Sequence, residues 1–215
     1  MKGRCDIEMN KTVGLRLAQL LRSVKERDYL EALIAFIAAP TIKGVKPSAL
    51  MRFAASGKNT MLLWKDYGSV ICAKYGLESF ELKSGENGVL VLLYKKKLLT
   101  HYLSYSKNKP FLECIGYMTD DELEGKLKFL KGRFERLCPH EVGLFLGIPI
   151  EDVEGFIANK GSNCLLCRYW KVYGDKKRAQ LLFAAYDKAR AGMMQLLCGE
   201  DNLIPCNKPL VYALQ

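Results

Sequence analysis

The stretch ESFELKSGENGVLVLLY, residues 78–94, constrains the fold of this chain more than any other. Phe80 and Leu82 alternate with charged and polar neighbours, Gly-Glu-Asn supplies a turn, and an unbroken run of strand-forming apolar residues follows. Period-two alternation, turn residues and a second β-rich run together predict a β-hairpin, here with a loop of about three to five residues. An isolated hairpin is marginal in water, so the remaining chain must supply elements that cover its apolar surface.

Most of that remaining chain carries helical periodicity. Val13, Leu17, Leu20, Leu21 and Val24 form an apolar stripe, with Arg16, Arg22 and Lys25 among the polar positions. NTMLLWKDYGSVICAKYG reads as a helix that Asn59 or Thr60 caps and Gly76 closes. KKKLLTHYL is helical, and DDELEGKLKFLKGRFERL aligns Leu123, Leu127, Leu130, Phe134 and Leu137 on one face. DKKRAQLLFAAYDKARAGMMQLL predicts a long final helix.

Three segments are read from weaker signals. The apolar run EALIAFIAAP is expected to be a buried strand stopped by Pro40, with a helix as the alternative. SALMRFAAS is expected to be a helix opened by Pro47 and ended near Gly57. RYWKVYG reads as a short strand with Tyr169, Lys171 and Tyr173 on one face and Trp170 and Val172 on the other. The sum is an α/β (α+β) fold, helix-rich, with helices packed on a small sheet of three or four short strands. Residues 1–199 form the single domain, with a helical pair at 139–159, and 200–215 are a C-terminal tail.

Neither of the longest apolar runs, residues 32–40 and 89–94, approaches the roughly 20 residues that cross a bilayer. The N-terminal MKGRCDIEMNKTV lacks the apolar core of a secretory signal, so a cytoplasmic protein with reduced cysteines and no membrane partner is expected. The formal net charge is +10, and the first 60 residues hold 11 basic and 5 acidic side chains. Such a surface attracts anions in general without selecting among them.

Two basic or aromatic segments fit an anionic ligand. In TIKGVKPS the expected strand end meets a Lys-Gly-x-Lys-Pro loop ahead of the expected helix, so Lys43, Gly44, Lys46 and the loop N–H groups could cradle phosphate or carboxylate. In YWKVY, Tyr169 and Lys171 would offer a stacking face beside a cation. The glycine spacing of nucleotide-binding fingerprints is absent, and no cofactor is indicated.

CPHEVGLFLGIP is mostly helix punctuation. Pro139 suits a first helical position, Glu141 a first turn, Gly147 an end and Pro149 a restart. His140 and Glu141 are nonetheless the catalytic candidates, since histidine is the side chain whose ordinary titration lies near neutrality. Gly143, Gly147 and Val153 also have the spacing of a helix-turn-helix, but Glu151, Asp152 and Glu154 on its second helix would repel phosphates. A nucleic-acid or protein interaction module is therefore the alternative, with nucleic acid disfavoured. No metal is expected: a zincin needs histidine where Leu144 stands, and a four-ligand set from Cys138, His140, Cys164 and Cys167 is a minor reading.

Together APTIKGVKP, PHEVGLFLGIPIEDVEGFIANKG and CRYWKVYGD resemble an uncharacterised bacterial family catalogued as the domain of unknown function DUF3793. Its pattern is an Ala-Pro-Thr…Gly…Lys-Pro loop, then Pro-His-Glu, Leu-Gly-Tyr-Pro, and Cys-Gly-Tyr-Trp-Lys-Val-Tyr. Ile148 stands where that pattern has tyrosine, and Arg168 where it has glycine. The resemblance runs from about residue 32 to the final helix and implies no activity. It nominates places: the loop 41–47, His140 with Glu141, and the strand 169–173.

Overall fold

The computed structural model describes residues 2–118, 120–135 and 138–199, with backbone alone for 2–11. Leu137 and the expected tail, 200–215, lie outside the described residues. In chain order the elements are α1 (Lys2–Ser23), α2 (Glu26–Ile37), α3 (Ala39–Ile42), β1 (Ser48–Ala54), α4 (Thr60–Lys74), β2 (Glu78–Gly85) and β3 (Gly88–Tyr94). There follow α5 (Lys96–Leu103), α6 (Lys109–Ile115), α7 (Leu123–Phe134), α8 (Val142–Phe145), α9 (Ile150–Ala158), β4 (Leu166–Cys167), β5 (Lys171–Val172) and α10 (Lys176–Leu197). The fold is helix-rich α+β. No described helix is long and apolar enough to cross a membrane.

The hairpin forms the heart of the sheet. β2 and β3 pair antiparallel and β1 adds antiparallel to the other side of β3, giving the order β1-β3-β2. The connection is Glu86-Asn87, since Gly85 already pairs with Gly88, so the loop is tighter than the sequence predicted. β3 alternates its apolar residues between two cores, as a strand buried on both faces must. Val89, Val91 and Leu93 join Met51 and Phe53 of β1, Leu30 and Ile34 of α2, and Ile71 of α4. Leu92 and Tyr94 join Leu82 of β2 and residues from α5 to α9, among them Leu99, Leu130 and Phe145.

Two expectations are corrected. Residues 32–40 are helical, in α2 and α3, not a strand. The charged residues ahead of the run, Glu26 and Asp28, belong to the first turn of α2 and extend it to 12 residues, a length that favours helix over strand. The run looks continuously apolar because α2 and its junction with α3 are covered twice: Leu30, Ile34 and Ala38 pack on the sheet, while Ala35 and Ala39 meet Ala189 and Met193 of α10. The first seven residues of SALMRFAAS form strand β1 rather than a helix. All seven of its residues pair with β3, and Ala49, Met51 and Phe53 alternate with half-buried Leu50 and exposed Arg52, so sheet pairing overrides the helical propensities of Ala, Leu and Met.

Candidate functional site

The three phrases that carry the family resemblance pack on one another. Gly147, which ends the turn after α8, has φ +75°, and a Cβ placed there would come within 2.5 Å of the Pro47 ring. Ser48 Oγ donates to the Phe145 carbonyl at 2.6 Å, and Tyr102 Oη to that of Ile148 at 2.8 Å. Asp152 is 3% exposed and accepts from Trp170 Nε1 (2.6 Å) and from the backbone N–H groups of Tyr173 (2.7 Å) and Gly174 (2.8 Å). This carboxylate ties α9 to the segment around β5.

The punctuation of 139–159 differs in detail from the expected pattern. α8 is a single turn beginning after Glu141, so Pro139 precedes the helix, and Pro149 sits at the cap position of α9 rather than inside it. Glu141 does not serve a helix N-terminus with its side chain. It is 2% exposed, ion-paired to Arg133 of α7, and accepts a 3.4 Å bond from Tyr117 Oη. Burial first, and then the Glu141 carboxylate, raise the Tyr117 pKa.

The loop 43–47 spends its N–H groups on itself. Val45 and Lys46 donate to the Pro40 carbonyl and Gly44 to that of Thr41, and β1 follows instead of a helix, so the expected backbone cradle is not formed. Lys43 is exposed in the turn. Lys46 points to α10: its ammonium lies 5.9 Å from the centre of the Tyr186 ring and is repelled by Arg190. Burial, with Arg190 as the second cause, brings the Lys46 pKa down to about 8.

Around Lys46 stands a network that the aromatic segment completes. Arg190 donates from Nη1 to Tyr169 Oη (3.2 Å), Tyr169 donates to Asp187 Oδ1 (2.6 Å), and Arg168 pairs with Asp187 Oδ2 (2.5 Å). Burial and then Asp187 push the Tyr169 phenol up to about 12. Asp187 is thus occupied by Arg168 and Tyr169. Among the described residues neither Lys46 nor Arg190 has a carboxylate within ion-pair distance. Arg190 Nε and the hydroxyl of Tyr186, a residue 1% exposed, are buried without hydrogen-bond partners.

His140 lies elsewhere, at a cavity of about 320 Å³ that Lys171 also lines, with walls from α8, α9 and Trp170. The His140 ring is exposed and lies 5.4 Å from that of Phe156, while Lys171 Nζ donates to the Gly161 carbonyl at 2.6 Å. Only Lys171 and Val172 of the expected aromatic strand pair with β4; Tyr169 and Trp170 are in the turn, so its two-faced alternation does not extend over five residues. The structure therefore brings together Lys46 with Tyr169, and His140 with Lys171, and sends Glu141 to a third place. Among the described residues no three His, Cys, Asp or Glu side chains are grouped as metal ligands.

Sequence reasoning missed Asp152, Tyr186, Asp187 and Arg190. Their signal was there: Asp187 and Arg190 follow Phe183 at helical spacing on the buried stripe of α10, and Asp152 lies between buried Ile150 and Val153. Ionisable residues on a buried stripe are rare unless paired or used. A family model described as Protein of unknown function (DUF3793) matches residues 34–204. No curated protein and no solved structure matches the chain.

Proposed function

The chain belongs to the DUF3793 family, a membership that brings no assigned activity, and we propose that it binds a small, multiply charged phosphate or carboxylate anion between Lys46 and Arg190. The observation that carries this reading is a pair of mutually repelling cations, each lacking a carboxylate partner among the described residues. Holding unpaired charge away from water is unfavourable, and an anion would supply the missing counter-charge. Arg190 Nε and the Tyr186 hydroxyl would give it two further hydrogen bonds. The reading is one of binding and assigns no bond-breaking step. The interaction-module alternative has less support: α8 is one turn long, and α9 presents Glu151 and Glu154 to solvent.

The test is thermal unfolding with inorganic phosphate, pyrophosphate and citrate, with sodium chloride matching ionic strength. A ligand at 100 times its Kd stabilises by about 2.7 kcal/mol, which is readily measured. Affinity should fall as pH rises through about 8, where Lys46 loses its charge. Lys46→Met should abolish the response. It should also raise stability of the free protein at pH 7, by about 1–2 kcal/mol, because the half-buried Lys46 ammonium keeps part of its hydration.

The sign follows from linkage. Lys46 titrates at about 8 when folded, against 10.5 for the unperturbed side chain, so below pH 8 it is charged in both states and the folded state bears the penalty. That penalty is relieved between pH 8 and 10.5, and wild-type stability should rise relative to Lys46→Met over the window. Measurement between pH 7 and 9.5 avoids the opposite effect of the buried tyrosines, whose raised pKa values make stability fall above about pH 10. Absence of stabilisation by all three anions sinks the proposal.

A further inference from the structure

The geometry points to the His140 cavity as a second ligand site, for a compact apolar molecule carrying one negatively charged head. At about 320 Å³ it falls within the lower range of small-molecule pockets. Val142, Leu146, Ile148, Val153, Phe156 and Trp170 make its walls apolar, which suits a hydrocarbon or aromatic body and not a fully hydrated phosphate.

The polar groups decide the sign of the head. Asp152 reaches the wall, but its carboxylate is already bonded to Trp170 Nε1, Tyr173 N and Gly174 N. The Trp170 N–H is consumed by the same bonds. Lys171 uses one N–H on the Gly161 carbonyl and has no carboxylate within ion-pair distance among the described residues. His140 stands exposed at the rim. Asp152 keeps its charge but turns its oxygens to the Trp170 indole and the Tyr173 and Gly174 N–H groups, so the groups with bonding capacity left, Lys171 and His140, are donors, and a carboxylate or sulfonate head complements them. None of these residues belongs to the Lys46 and Arg190 site, so each site can fail without the other.

The full chain is titrated with the fluorescent probe 1-anilinonaphthalene-8-sulfonate, and the probe is competed with octanoate and with neutral octanamide. One saturable site is expected, with octanoate displacing the probe at least tenfold more effectively than octanamide. Val142→Trp, which fills the cavity, should weaken probe and octanoate at least tenfold. Lys171→Met should weaken octanoate several-fold and leave octanamide unchanged, and Lys46→Met should alter neither. If Val142→Trp does not fold, Ile148→Phe tests the same space. Equal binding of the probe to the folded filled variant and wild type overturns the proposal. So does equal affinity for octanoate and octanamide, or loss of probe binding in Lys46→Met.

Discussion

Replacing Asp152 with alanine is expected to lower stability by about 3–5 kcal/mol, measured by urea unfolding, even though the residue lies on a helix otherwise decorated with solvated acids. The change removes one carboxylate but orphans three donors: the Trp170 indole N–H and the backbone N–H groups of Tyr173 and Gly174. Each donor left unpaired in a desolvated place costs about 1–3 kcal/mol, less where water enters the space vacated. Asp152→Asn separates geometry from chemistry. Its carbonyl oxygen can still accept from the two backbone groups through the position of Oδ1, but its amide N–H would face the indole N–H, donor against donor. The expected order is aspartate, asparagine, alanine, with asparagine about 1–2 kcal/mol below wild type. An alanine variant within 1 kcal/mol of wild type would mean that Asp152 does not fasten α9 to the β5 segment.

Gly147→Ala is expected to cost about 2–4 kcal/mol, and Gly44→Ala about 1 kcal/mol, although both glycines have nearly the same left-handed φ, +75° and +73°. The backbone contribution is common to the two. The difference is what the new methyl meets: open space at Gly44, but at Gly147 the Pro47 ring, whose Cδ and Cγ would lie 2.5 and 2.8 Å from the added carbon. A proline ring cannot rotate out of the way, so the chain must move, and overpacking of this kind costs about 1–3 kcal/mol. Pro47→Ala in the Gly147→Ala background should recover part of the loss if the close approach is its origin. Equal destabilisation by the two glycine substitutions would remove the contact as the explanation.

What could be read from the sequence was what neighbours in the chain decide. The hairpin, the cap at Asn59, the Leu123 to Phe134 stripe and the long final helix rest on turn residues, caps and periodicity, and each is present. β1 was misread because its state depends on pairing with β3, about 40 residues later, and α2 because two separate partners made it apolar on two sides. The candidate site divides along the same line. Lys46 and Tyr169 could be nominated from residue type and local pattern, but their relation to each other depends on α10, which supplies Tyr186, Asp187 and Arg190. Glu141 shows the converse: it occupies a favourable first-turn position in the sequence, yet its carboxylate is committed to Arg133 and Tyr117.

The span of these contacts also orders the folding reaction. The β2–β3 hairpin closes through two residues, whereas Ser48 reaches Phe145 across 97 positions and Lys46 meets Arg190 only after α10 has docked. Loop-closure entropy makes such distant contacts late relative to local ones. The Lys46 and Arg190 pair therefore comes into being only when α10 has closed on the loop that precedes β1, long after the hairpin beside it in the fold.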